Sequence, residues 1–256
     1  MRRALLIAAL CTAPGASVGA QDFAYAAGTA RYRIDFKSTG TSETKGLRRH
    51  VGLDAVQHIT ATLSERTKDT LALSLTIDSA KVISSATGDV DTRPMLGVCV
   101  RELLSPTGRV YSSEPLGFPA HEAFAAAGTA LLRFFPELPA RVGVGVTWQD
   151  TTADSVAQMG MLIRRTLKNV FKILADTVVA SDSAWLVERH AQTTLSGAGT
   201  GMGSSLVLQG SGKGSGTILV SKSGRFLSSE FTEELTSKLT IGSSGQEVAG
   251  SQRQRT

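Results

Sequence analysis

Alternation of apolar and polar positions dominates the chain. From Ala30 to Lys37, Tyr32, Ile34 and Phe36 fall on one side, with Arg31, Arg33, Asp35 and Lys37 on the other. That is the period-two signature of a strand with one wet face. Ser38 to Gly46 is rich in Ser, Thr and Gly and predicts a loop. Val51, Leu53, Ala55, Ile59, Ala61 and Leu63 then occupy one face, and His50, Asp54, His58, Thr60 and Thr62 the other. After a charged turn at Glu65 to Asp69, Leu71, Leu73, Leu75 and Ile77 alternate with Ala72, Ser74, Thr76 and Asp78. The two segments predict a long antiparallel pair buried on one face. Ser84 to Pro94 reads as a loop, and Ser105-Pro106-Thr107-Gly108 supplies turn chemistry for a hairpin between Gly97–Leu104 and Arg109–Ser112.

One helical pattern interrupts the strands. Pro119 suits a first turn, Ala120, Phe124, Ala127, Leu131, Phe134 and Phe135 recur at helical spacing, and Pro136 ends the run, predicting a helix over about 119–135. Beyond it, Val142, Val144 and Val146 alternate with Gly143 and Gly145, leading into Trp148, and strands are predicted at 161–174, 184–195, 205–210, 217–222 and 225–241, with a tight turn at Ser223-Gly224. From Gly242 onward Gly, Ser, Gln and Arg predict a disordered tail, 242–256. The fold class that follows is mainly β: one large curved antiparallel sheet, half-barrel-like, with one covering helix, in a single domain over 21–241. Both halves run long strand, turn, long strand, then Gly-marked hairpins, which suggests a pseudo-duplication, although no residue pattern is found to recur at fixed spacing.

The N-terminus changes the picture of where this sheet works. Arg2 and Arg3 precede an apolar run from Ala4 to Leu10, and Val18-Gly19-Ala20 places small residues before Gln21. This order predicts a secretory signal peptide, residues 1–20, cut after Ala20. Leu10 and Ala8 do not fit the pattern that lipidation of Cys11 requires. Removing residues 1–20 also removes two of the 27 basic residues, which face 22 acidic ones, so the exported chain is nearer neutrality than the whole. Scattered bases and only 5% aromatics argue against a nucleic-acid partner. No apolar run is long enough for a transmembrane helix. Cys99 would be the only cysteine left, and its neighbours Gly97, Val98 and Val100 predict a buried thiol rather than a nucleophile.

Motifs of catalysis and metal binding are weak. His50, Asp54 and His58 share one strand face, but four residues along a strand span about 13 Å, too far for one ion held at about 2 Å. Asp89 and Asp91 lack the rest of a calcium loop. No Gly-x-Ser-x-Gly elbow stands between a strand and a helix. Gly212-Lys213 is followed by Gly214, where a phosphate loop needs Ser or Thr, and then by a strand rather than a helix. The alternating series Gly197 to Gly203 and Gly210 to Gly216 is better read as a bare strand face, which admits sharp coiling or the close approach of an aromatic, a helix or a ligand. No cofactor or metal is predicted.

Phe135-Pro136-Glu137-Leu138-Pro139, followed by Val142-Gly143-Val144-Gly145-Val146-Thr147-Trp148, resembles a segment that joins two β-rich halves in a loose group of exported bacterial proteins. The usual acidic residue after the Gly is Val146 here. The layout of that group is similar to periplasmic lipoprotein carriers, whose half-barrel cradles acyl chains. The resemblance implies an architecture and no activity. The leading expectation is therefore an exported, non-enzymatic binding protein for a lipid or other apolar ligand, with Phe124, Leu131, Phe135 and Trp148 as ligand-binding residues. The alternatives are an envelope interaction or structural protein with a fully packed sheet, and a hydrolase built around His190 with a nearby Ser.

Overall fold

The computed structural model describes residues 20–117, 131, 134–158, 160–201, 203–242 and 245–256. Its strands, in chain order, are β1 (Gln21–Asp22), β2 (Gly28–Thr44), β3 (Leu47–Thr67), β4 (Thr70–Ser84), β5 (Gly88–Val90), β6 (Cys99–Leu104), β7 (Val110–Leu116), β8 (Arg141–Val142), β9 (Thr147–Gln158), β10 (Met161–Val179), β11 (Asp182–Gly201), β12 (Ser204–Ser221), β13 (Phe226–Ile241) and β14 (Gln246–Arg255). Twelve of them form one antiparallel sheet in the order β7-β6-β4-β3-β2-β14-β13-β12-β11-β10-β9, with β5 on the far end of β4. The sheet is not closed: β7 and β9 are its edges. β1 and β8 form a separate two-stranded ladder.

The sheet is larger than the alternation alone predicts. Ser38 to Thr44, expected as a loop, continues β2 and pairs with both β3 and β14. Residues 246–255, expected as a disordered tail, form a strand in the middle of the sheet. Neither stretch has apolar alternation. Each is held by ladder hydrogen bonds on both sides, and on β14 the outward side chains add ion pairs, Lys238 to Glu247 at 2.5 Å and Arg255 to Glu230 at 2.5 Å. The strands expected separately at 205–210 and 217–222 are one strand, β12, running straight through its glycines. Val144 and Gly145 lie in a turn, and the alternation that leads into Trp148 is followed by a twelve-residue strand, β9.

A repeat is visible once the strands are placed. Leu103, Ser105, Gly108, Arg109, Ser112, Ser113 and Glu114 match Leu219, Ser221, Gly224, Arg225, Ser228, Ser229 and Glu230 in order and spacing. The match extends to geometry. In each turn the first Ser N–H donates to the Arg carbonyl at 2.8 Å, and the Gly N–H to the Ser carbonyl at 3.0 Å. Gly108 and Gly224 hold φ of 93° and 85°, a left-handed conformation that favours glycine. Each ladder slips register just before its turn, at Leu103/Leu104 and at Leu219/Val220. The units β2-β3-β4-β6-β7 and β9-β10-β11-β12-β13 follow one another along the sheet in the same sense, joined through β14. The chain thus has the layout of a tandem duplication of a five-stranded meander, which the similar order of the two halves in the sequence only suggested.

The core lies at one end of the sheet. Ile59, Leu73, Leu75, Ile77, Val100 and Leu104 of the first unit meet Ile173, Trp185, Val187 and Val220 of the second, all at 1% exposure or less. Burying each such side chain contributes about 1.5–3 kcal/mol. The strap from Phe134 to Val146, between the two edge strands, fills the space between the units: Leu138 N–H donates to Thr107 O at 2.9 Å, and Gly145 N–H to Ile173 O at 2.8 Å. Of the predicted helix, Leu131 is helical; Phe134 and Phe135 are not, and the other positions, Phe124 included, lie outside the described residues.

Both repeated turns close on the segment before β2. Tyr25 N–H donates to Pro106 O at 2.7 Å, Ala26 N–H to Gly224 O at 2.9 Å, and the buried Tyr25 hydroxyl to Pro136 O at 2.8 Å. Burial pushes the Tyr25 phenol well above its ordinary 10.0. The folded chain therefore holds this proton more tightly than the unfolded chain, and the resulting stability is complete below pH 10.0 and lost as pH rises beyond it. Tyr25→Phe is expected to cost about 1 kcal/mol at neutral pH, through the lost hydrogen bond, and to flatten the alkaline loss of stability. Urea titrations between neutral pH and pH 11 on both proteins test this, and identical alkaline slopes would refute it.

Candidate functional site

Register decides which side chains enter the concave face. Phe171, Arg189, Gly216 and Phe231 stand side by side across β10 to β13, as do Asn169, Ala191, Gly214 and Glu233, and Leu167, Thr193, Gly212 and Leu235. Because Phe171, Glu233 and Leu235 are buried, these rows point inward. They stack above the core, next to Ile173, Val187 and Ile218, and they carry charge.

Two linked polar clusters occupy the rows. Glu233, at 1% exposure, receives Arg165 Nη2 at 2.6 Å and the Thr193 hydroxyl. Asn169 donates to Asp150 Oδ1 at 2.5 Å and accepts Arg189 Nε at 3.0 Å. The Arg189 guanidinium lies over the Phe231 ring, 4.1 Å from its centroid, with Phe171 at 6.0 Å. Burial lowers the pKa of Arg189, opposed by the charges of Asp150 and Glu233. Arg165 Nε is buried with no hydrogen-bond partner among the described residues.

The glycines make this arrangement possible. A Cβ on Gly214 would overlap the Phe231 ring, whose Cε2 lies 2.9 Å from that position. Phe231 thus folds flat over a bare strand and serves as the platform for Arg189, the close approach of an aromatic that alternate glycines allow. Gly214→Ala is expected to cost about 1–3 kcal/mol by overpacking and to displace Arg189. Thermal melting checks the first effect; an unchanged melting temperature would show that Phe231 is free to move.

Around these groups lies a cleft of about 1640 Å³. Tyr32, Ile34, Phe36, Phe134, Phe135 and Phe226 supply apolar wall, and Ile163, Leu167, Leu195 and Leu208 continue it along the second unit. Phe135 is part of this wall, in edge contact with Tyr25 at 5.1 Å. Leu131, fully buried, is packed in the core. Trp148 stacks on Phe171 at 5.0 Å and donates its indole N–H to Glu137 O at 2.9 Å. Of the four predicted residues, Phe135 lines the cleft, Leu131 and Trp148 pack in and against the core, and Phe124 lies outside the described residues. Arg165, Asn169, Arg189 and Glu233 were not predicted. Their signal was parity: Arg165 and Asn169 share the odd positions of Leu167, Phe171 and Ile173.

Of the remaining candidates, Asp54 borders the cleft and pairs with Lys37 at 3.9 Å, and the histidines stand apart from it. His58 Nδ1 is 3.0 Å from Ser79 Oγ on an exposed face. His190 is exposed on the opposite face from Arg189, across from Ser215 in register, with Nε2 3.4 Å from Glu188 Oε1. No hydrogen bond joins His190 to Ser215. Among the described residues no group of three His, Cys, Asp or Glu side chains is placed to hold a metal. Cys99 is half-buried, with Sγ 3.2 Å from Ser74 Oγ. No described helix is long and apolar enough to cross a membrane. No protein-family model matches the chain, and no curated protein matches it in sequence.

Proposed function

We propose that the protein is an exported, non-enzymatic binding protein that holds a lipid or another apolar molecule in the concave face of its sheet. One observation carries this reading: the cleft of about 1640 Å³ along an open sheet, whose wall combines aromatic and aliphatic side chains with charged ones. Its volume exceeds the usual range for small-ligand sites, about 300–1,000 Å³, and suits a long, flexible molecule. Export rests on the Arg2-Arg3 start, the apolar run and the small residues before Gln21. Gln21 opens β1, so a cut after Ala20 spares every described strand.

Native mass spectrometry of protein purified from its source envelope, with N-terminal sequencing, tests both parts. The expected result is a mature chain beginning at Gln21 with an apolar molecule bound. An apo mass together with no uptake of a fluorescent lipid would overturn the binding function, and an uncut N-terminus would overturn export. A second reading, an envelope interaction protein, is supported by β9, a long edge strand able to pair with a partner strand. Recovery of a stoichiometric partner by crosslinking, with no lipid bound, would favour it.

A further inference from the structure

We propose that the ligand of this cleft is a single-chain anionic amphiphile whose carboxylate or phosphate head sits on Arg189, an inference that rests on the apolar-ligand reading above. Among the described residues, Arg189 uses only its Nε as a donor, to Asn169 at 3.0 Å. Among the described residues its two terminal amino groups have no acceptor, and no carboxylate oxygen lies within 4.0 Å of it. A guanidinium is a planar fork matched to two oxygens of a carboxylate or phosphate. Here the fork is held in one orientation by Asn169 and by the Phe231 face, so little rotamer freedom remains to be lost on binding.

The neighbouring charges are already engaged. Glu233 is paired with Arg165 and Thr193, and Asp150 accepts from Asn169. Among the described residues Arg189 has no counter-ion in contact, and burial has weakened its hold on its proton. An anion there would restore what desolvation costs. Asp150 opposes this, since its negative charge acts on the same guanidinium. A short anion would leave the apolar wall from Tyr32 to Phe226 uncovered, whereas a neutral lipid would leave the fork unmatched. An amphiphile satisfies both.

The test is calorimetric titration of the delipidated full-length protein with dodecanoate, dodecyl phosphate, dodecanol, acetate and inorganic phosphate, all below micellar concentrations. Dodecanoate or dodecyl phosphate is expected to bind at least tenfold more tightly than dodecanol, with acetate and inorganic phosphate much weaker. Arg189→Gln should abolish the preference for the charged head while leaving dodecanol affinity within about twofold. Arg189→Lys should keep part of the preference, and Asp150→Asn should increase affinity for the anion severalfold. Equal binding of dodecanoate and dodecanol by the wild type would overturn this inference and leave the apolar-ligand function standing. Binding of none of the chains would overturn both. A head-group preference that survives Arg189→Gln would remove Arg189 from the site. Tight binding of acetate or inorganic phosphate alone would make it an anion site with no role for a tail. Should Arg189→Gln fail to fold, the wild-type comparison and Asp150→Asn decide the matter.

Discussion

Removal of residues 246–256 is expected to abolish the folded state. β14 is laddered to β13 from Gln246 to Arg255 and to β2 from Val248 to Arg255. At about 0.5–1.5 kcal/mol net for each ladder hydrogen bond, the strand contributes on the order of 10 kcal/mol, comparable with the whole stability of a typical domain, about 5–15 kcal/mol. The truncation would also expose two long unpaired edges, on β2 and β13, in the middle of the molecule, and such edges aggregate. Insoluble protein, or soluble protein without a cooperative melt, is the expected outcome. A truncated chain melting within a few degrees of the full one would mean that β2 and β13 pair directly, making β14 dispensable. Hydrogen exchange on the intact protein offers an independent check: amides from Gly250 to Gln254 should be as protected as those of β3.

Arg165→Met carries the second large effect. The Glu233 side chain is 2% exposed and that of Arg165 30% exposed, so the two members of the pair are not equivalent. Taking away the arginine leaves a carboxylate with no access to water and only the Thr193 hydroxyl as donor. Breaking a buried pair in this direction costs about 3–5 kcal/mol. Glu233→Gln should cost clearly less, because Arg165 reaches solvent and the amide still accepts a hydrogen bond. The double variant Arg165→Met with Glu233→Leu should recover most of the loss, since an apolar replacement removes both desolvated charges. Urea denaturation of the three variants measures the order. If Glu233→Gln proved the more damaging, Glu233 would be acting chiefly to keep Arg165 in place.

The first unit of the sheet could be read from sequence because its strands obey a simple rule. From Tyr32 to Phe36 and from Leu71 to Ile77, one face is apolar and the other wet, so alternation reveals both the strand and its orientation. Gly210 to Gly216 and residues 246–255 break that rule. Their place in the sheet is decided by neighbouring backbones, and nothing in their side chains announces it. The polar site was hidden for the opposite reason. Arg165, Asn169, Arg189 and Glu233 face inward, where alternation leads one to expect apolar residues, so a search for apolar periodicity passes over them. The glycines were legible physically, as a bare surface, but their occupant, Phe231, was not. The repeat was present in the letters, from Leu103 to Glu114 and again from Leu219 to Glu230. It is confined to a hairpin and its turn, and the long strands before it have kept the register but not the residues.

The position of β14 also sets the order in which the chain can acquire its structure. Within each five-stranded unit almost every pairing is between neighbouring strands, through turns such as Ala180–Ser181 and Lys45–Gly46, and local pairings of this kind form fast. The contact that welds the units together is different in kind: Thr41 meets Ser251 across 210 residues. The entropic cost of closing so long a loop falls before any of its hydrogen bonds is made. Folding should therefore proceed in two kinetic phases, rapid collapse of each meander followed by a slow joining step. Until that step is complete, β2 presents an open flank to any other chain nearby. For a newly made molecule the hazardous interval is thus set by how quickly β14 reaches its slot.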